Sequence, residues 1–193
     1  MEQRRQRVSS QKFTMADVAI AEAEWKAMVA ENEIRLLKIF AKKGKLELAY
    51  TKAETNAWIL RTLRDKKQLS KLDTCSKIIL VGSGMYPYSM FDLHKRNPKL
   101  KQIGIEIDEN RAKVSRKLIA ASPAKDAIEI CTMDALDFDY SIMGIDDLIF
   151  ISVDVDHKVI IDKILETSKA HVFICAPYDK TWLKNLVSSI KSF

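Results

Sequence analysis

Five short runs rich in β-branched residues, KIILVGSG, KQIGIEID, AIEICTMD, DDLIFISV and AHVFICAPY, follow Leu72 in order. The stretches between them have the composition of helices. Runs as continuously apolar as IILV and LIFI belong to strands buried on both faces, the situation of a parallel sheet covered by helices on each side. The pattern therefore predicts strands at 77–81, 101–107, 127–131, 147–152 and 170–176, and helices at 85–96, 109–121, 157–168 and 179–191. Such an alternation is a doubly wound α/β sheet with its ligand crevice at the carboxyl ends of the strands. A length of 193 residues suits one such core with attachments rather than two domains. Five Gly and four Pro are too few for a loop-rich β-sandwich.

Upstream the period is helical. Thr14 followed by Asp17 reads as a helix start, and Val18, Trp25, Met28, Val29, Leu36, Ile39 and Phe40 recur at helical spacing until Gly44. Thr51 with Glu54 three residues later is a capping-box pattern, and Ile59, Leu60 and Leu63 carry an apolar face of a second helix through to about Lys66. Aromatic residues on such faces are expected in the core, which is the assignment for Trp25 and Trp58. The chain divides into a mobile basic tail at 1–13, a helical cap at 14–70 and a ligand-binding domain at 71–193.

The net charge of +6 is entirely N-terminal: residues 1–70 hold 15 Lys and Arg against 9 Asp and Glu, whereas residues 71–193 hold 17 of each. Arg4, Arg5, Arg7 and Lys12 sit on the polar tail without the interleaved aromatics of a stacking surface, which argues against a nucleic-acid partner. No apolar run reaches the roughly 18–20 residues needed to cross a bilayer. The start MEQRRQRVSSQKF lacks the apolar segment of a secretory signal, so a cytoplasmic protein with no membrane partner is expected. Cys75, Cys131 and Cys175 form no C-x-x-C pair, and His94, His157 and His171 are near neither one another nor a cysteine; no metal site is expected. Cys131 and Cys175, in apolar runs, read as buried thiols.

The stretch VGSGMYPYS, residues 81–89, runs from the first buried strand into a helix. Gly82 and Gly84 let the backbone turn tightly and approach a ligand without a Cβ clash, and the following helix start offers free N–H groups to an anion. The second strand ends with Glu106 and Asp108, where an acid can bind both hydroxyls of a ribose. Together these features call for a nucleoside ligand, and NAD(P), nucleotides and S-adenosylmethionine are all compatible with them. The third glycine of the dinucleotide fingerprint would fall at Pro87, which disfavours a pyrophosphate, and no G-x-x-x-x-G-K-[ST] is present. Asp134, after the third strand in CTMDALDF, is placed to accept from an adenine amino group, with Met133 and Ala135 flanking the ring.

These residues resemble the class I methyltransferase-type, S-adenosylmethionine-binding, Rossmann-like fold, and more narrowly the nicotianamine synthase-like group, whose loop reads VGSGPLPLT. Here VGSGMYPYS retains the glycines, Pro87 and a hydroxyl at Ser89, and the similarity continues through GIEID, CTMDALDF and FISVDVDHKVIIDKIL to VFICAPY, covering roughly residues 75–178. The resemblance implies that Gly82, Ser83 and Gly84 hold the methionine portion, Glu106 the ribose and Asp134 the adenine. Residues after the fifth strand are too few for a helix plus the β6–β7 antiparallel hairpin that ends a complete sheet of this kind. A C-terminally trimmed sheet lacking that hairpin is therefore expected, with an edge that a second subunit could cover, making a homodimer the expected assembly.

S-adenosylmethionine is the expected co-substrate, and orientation decides which carbon beside its sulfonium is attacked. Attack on the γ-carbon transfers a 3-amino-3-carboxypropyl group, to a small amine or by ring closure within the molecule, and releases 5′-methylthioadenosine; the resemblance implies this outcome. Methyl transfer to a small molecule is the alternative, and a non-catalytic nucleoside-binding module is a third. Tyr86, Tyr88 and Tyr178 follow the glycine loop and the fifth strand, where the crevice lies, and are the expected catalytic residues for accepting or orienting a proton. Asp154, Asp156 and His157 follow the fourth strand, and Tyr50 and Glu54 on the helical cap are weaker candidates.

Overall fold

A computed structural model of the chain describes residues 31–53, 66–152, 155 and 157–174. Its described elements are helix α1 (31–42), α2 (Leu48–Lys52), α3 (Lys66–Thr74), β1 (Lys77–Val81), α4 (Tyr88–Arg96), β2 (Lys101–Glu106), α5 (Glu109–Ala120), β3 (Ile128–Thr132), a 3-10 turn (Tyr140–Ile142), β4 (Leu148–Ile151), α6 (His157–Thr167) and β5 (His171–Ile174). All strand pairs are parallel, in the order β3-β2-β1-β4-β5. That order, with helices on both faces, is a Rossmann-like doubly wound sheet. Its sense of winding reverses between β1 and β4, so the strand ends beside β1 are the place where such folds bind ligands.

The apolar runs behave as strands covered on both sides should. Alternate residues of β1 and β4 enter two separate cores: Ile78, Leu80, Leu148 and Phe150 pack with Phe91 of α4 and Leu118 of α5, while Ile79, Val81, Ile149 and Ile151 pack with Tyr140 and with Ile160 and Ile164 of α6. At the amino ends of these two strands the buried Asp147 carboxylate accepts from Ser76 Oγ (3.0 Å), Lys77 N (3.0 Å) and Gly144 N (2.8 Å). One side chain thus ties the start of β1 to the turn that enters β4.

Strand positions follow the sequence expectation closely, and the differences have local causes. Helix α4 starts at Tyr88 rather than 85, because Gly84 takes a φ of +74° and Pro87 bars helical geometry at the residue before it. Gly44, with a φ of +62°, ends α1 as its sequence position suggests, its N–H reaching Ala41 O. The expected helix start at Thr51 is not found. Thr51 lies inside α2 with Oγ1 donating back to Leu48 O, and Ala53 turns extended at φ −61°, ψ 108°. With Thr51 helical and Ala53 extended, the backbone at Thr51 lacks the geometry of a helix start. Helix α3 continues to Thr74, past the residue-70 boundary expected from composition, and buries Leu72 under the sheet. Cys75 is buried, whereas Cys131 is only partly so, its Sγ 4.0 Å from Glu129 Oε1. The tail at 1–13, Trp25, Trp58, Cys175 and the helix expected at 179–191 lie outside the described residues. No helix among the described residues is long and apolar enough to cross a membrane, and they contain no group of His, Cys, Asp and Glu arranged for a metal.

Helix α2 meets α4 through a polar pair set in the first core: Tyr50 OH and His94 Nδ1 share a hydrogen bond of 2.8 Å, and His94 is 6% exposed. Burial holds the imidazole below its ordinary value of 6.5. The unfolded chain therefore binds the proton first, and the stability contribution is complete above pH 6.5 and is lost as pH falls through the lowered folded-state value. Urea melts at pH 7 and below should show this loss, and a His94→Gln variant should flatten the slope in that window. An unchanged slope would exclude His94 as its origin.

Candidate functional site

At the carboxyl ends of β1, β2 and β3 lies a cavity of about 380 Å³, a size within the range of small-molecule sites. Its floor is the turn after β1. Gly82 and Gly84 both have a φ of +74°, a conformation that side chains resist. A Cβ on Gly82 would stand 2.7 Å from Val155 Cγ2 and 3.0 Å from Ser152 Cβ. The Gly82 and Ser83 amides both donate to Ile105 O, at 2.9 and 3.1 Å, which binds the loop onto β2. Ser83 folds away beneath, against Gly104, and its buried Oγ finds no hydrogen-bond partner among the described residues.

Glu106, the last residue of β2, is buried yet lines the cavity. Its Oε2 accepts the Gly84 N–H at 2.9 Å and its Oε1 the Asp108 N–H at 3.1 Å, so one carboxylate fixes the glycine loop and the start of α5 together. Asp108, the other acid of that strand end, caps α5 by accepting from Asn110 N and Arg111 N. Arg111 then reaches back over the loop: its Nε lies 3.9 Å from Glu106 Oε2 and its Nη2 lies 3.4 Å from Glu33 Oε2, on α1.

The opposite wall is apolar. Met133, Ala135 and Leu136 follow β3, and Val155, Val159 and Ile160 come from the β4 side. Ile107, Leu136 and Val159 are exposed by 69%, 37% and 53%, and all three line this one cavity. Apolar side chains left open around a concave site offer a flat ring something to pack against. Asp134 stands among them, Oδ1 accepting from Leu136 N at 2.8 Å. Below, Tyr140 is fully buried and donates to Ala135 O at 3.0 Å. Burial, followed by the nearby Asp134 charge, pushes this phenol well above its usual range, so it remains a donor. Tyr140→Phe leaves the carbonyl unpaired and is expected to lose about 1–2 kcal/mol of stability, measured by denaturant melts. An equal melt would mean that water satisfies the carbonyl.

Of the residues picked out in the sequence, Gly82, Glu106, Met133, Asp134 and Ala135 meet in the cavity, with Ser83 and Gly84 in its floor loop. The tyrosines take another direction. Tyr86 is 4% exposed, donates to Ala49 O at 2.8 Å and stacks on Tyr88 at 5.5 Å; neither ring lines the cavity, and both join the core beneath α2 and α4. Tyr50 pairs with His94 in that same region. Tyr178, Glu54, Asp154, Asp156 and the His157 side chain lie outside the described residues. Sequence reading did not pick out Glu33, Arg111, Ile107, Val155 or Val159. The apolar residue directly after the strand-end acid, Ile107, was the one local signal available for any of them.

No protein-family model and no curated protein matches the chain. Among solved structures it is similar to StiE O-MT (residues 942–1257), with 20% identity and a TM-score of 0.43 over 50% of this chain and 35% of that chain. It is also similar to PKMT2 from Rickettsia typhi in complex with AdoHcy, with 25% identity and a TM-score of 0.40 over 50% of this chain and 18% of that one. A third similarity is to the glycopeptide N-methyltransferase MtfA complexed with S-adenosyl-L-methionine, with 13% identity and a TM-score of 0.43 over 52% of this chain and 46% of that one. The chain spans less than half the length of each of these three.

Proposed function

We propose that this chain binds S-adenosylmethionine in the cleft at the ends of β1, β2 and β3 and acts as a transferase on a small molecule. The observation that carries the reading is the convergence on one cavity of a strand-end carboxylate, a turn that presents Gly82, and three open apolar residues. Glu106 would hold the ribose hydroxyls on lone pairs its two amide contacts leave free, for a carboxylate has about four acceptor sites. Ile107, Met133 and Leu136 would hold the adenine ring, and Asp134 its amino group. Gly82 keeps the floor open for close approach. When bound, the sulfonium supplies an electrophilic carbon; the protein's part is to orient it and to exclude water.

Methyl transfer is the reading we place first. Of the tyrosines expected to handle a proton in the γ-carbon route, Tyr86 donates its hydroxyl to Ala49 O and stacks on Tyr88 away from the cavity, and Tyr178 lies outside the described residues. The resemblance of VGSGMYPYS to the nicotianamine synthase-like loop remains the support for 3-amino-3-carboxypropyl transfer or cyclisation. Purified protein incubated with S-adenosylmethionine, alone and with candidate amines, distinguishes the outcomes by the mass of the nucleoside product. S-adenosylhomocysteine supports methyl transfer, and methylthioadenosine supports the γ-carbon route. Binding without either product identifies a nucleoside-binding module, and no binding overturns the proposal.

A further inference from the structure

The apolar wall and Glu106 account for a nucleoside but leave the amino-acid end of S-adenosylmethionine unexplained. That end is a zwitterion, and holding it in a dry cleft takes a cation and an anion side by side. Loop amides often serve an anion at such a turn, but here all three are committed: Gly82 and Ser83 to Ile105 O, Gly84 to Glu106. Two charged side chains stand against Gly84 instead. A Cβ placed on that glycine would lie 2.8 Å from Glu33 Oε1 and 3.4 Å from Arg111 Nη2. The Glu33 side chain is 7% exposed, although it is a carboxylate on a helix otherwise rich in exposed charge. Arg111 lines the cavity, and its buried Nε has no hydrogen-bond acceptor among the described residues. Their mutual contact, at 3.4 Å, is longer than the 2.7–2.9 Å of a strong charged hydrogen bond.

We propose that Glu33 and Arg111 are a clamp for a zwitterionic amino-acid group: the ligand's ammonium pairs with Glu33 and its carboxylate with Arg111, in place of the long contact between the two. A zwitterion adds no net charge, so the balance among Glu33, Glu106 and Arg111 is the same before and after. This inference rests on the S-adenosylmethionine reading of the cleft and names the side chains that recognise the ligand's polar end. It also gives α1 a role in binding, since Glu33 is supplied by that helix.

Calorimetric titration of the full chain with three ligands tests it. S-adenosylmethionine carries both charges, its decarboxylated form only the ammonium, and methylthioadenosine neither. Glu33→Gln should weaken the first two by about tenfold or more and change methylthioadenosine by less than about twofold. Arg111→Met should weaken S-adenosylmethionine by a similar factor and spare the decarboxylated form. Glu33→Asp and Arg111→Lys, which keep the charges and guard against misfolding, should give smaller losses in the same ligand order. Equal losses for all three ligands would reduce the pair to a support for the loop, and unchanged affinities would remove it from the site; either result overturns the clamp. Wild-type protein that binds none of the three overturns the reading of the cleft itself, whereas tight wild-type binding with indifferent variants overturns the clamp alone.

Discussion

Replacing Glu106 by alanine is expected to weaken S-adenosylmethionine binding by roughly 30- to 150-fold, the equivalent of about 2–3 kcal/mol for hydrogen bonds to a charged acceptor. The same change should lower stability by about 2–4 kcal/mol, since it strips the Gly84 and Asp108 amides of their acceptor and leaves Arg111 with Glu33 as its remaining partner. The two effects are separable. Glu106→Gln keeps an oxygen for one amide and restores part of the melting temperature, but it removes the charge and one acceptor from the ribose. Affinity should therefore stay low in glutamine while stability recovers. A folded Glu106→Ala protein with wild-type affinity would remove the ribose assignment.

Gly82→Val is expected to be the most damaging single change to the loop. A β-branched residue at φ +74° costs about 2–3 kcal/mol in backbone strain alone. Its Cβ would also meet Val155 Cγ2 at 2.7 Å and Ser152 Cβ at 3.0 Å, both part of the passage out of β4. Relief by moving those groups would narrow the cavity, so binding should be lost even under conditions in which the variant remains folded. Alanine at the same place tests the separation: it carries the strain with less bulk, and it should retain measurable binding. A valine variant with wild-type melting temperature and affinity would show that the loop adopts some other conformation.

The sheet was legible in the sequence because short, β-branched apolar runs such as IILV and LIFI alternate with helical stretches, and β1 to β5 lie within a residue or two of their expected bounds. The acid that ends β2 and the Met-Asp-Ala after β3 were legible as well, since strand order alone brings those ends together. Tyr86 and Tyr88 show where such reading stops. Spacing places them at the start of a helix but does not say which side of the loop their rings take, and the buried carbonyl of Ala49, 37 residues earlier, takes the hydroxyl of Tyr86. Glu33 is less visible still. In AENEIRLL it looks like any solvated acid, yet it is buried against an arginine 78 positions away. Thr51 carried a helix-start pattern but lies inside α2, with its hydroxyl turned back to Leu48 O.

The knot of hydrogen bonds at Asp147 has a mechanical consequence. It anchors β1 and β4 at the end remote from the cavity, as a beam is clamped at its wall, so that the spacing of the two strands is set at their root as well as at the tips where Gly82 and Ser152 face each other. Amide protons at Lys77 and Gly144 should consequently resist exchange with heavy water, and Asp147→Ala should expose both.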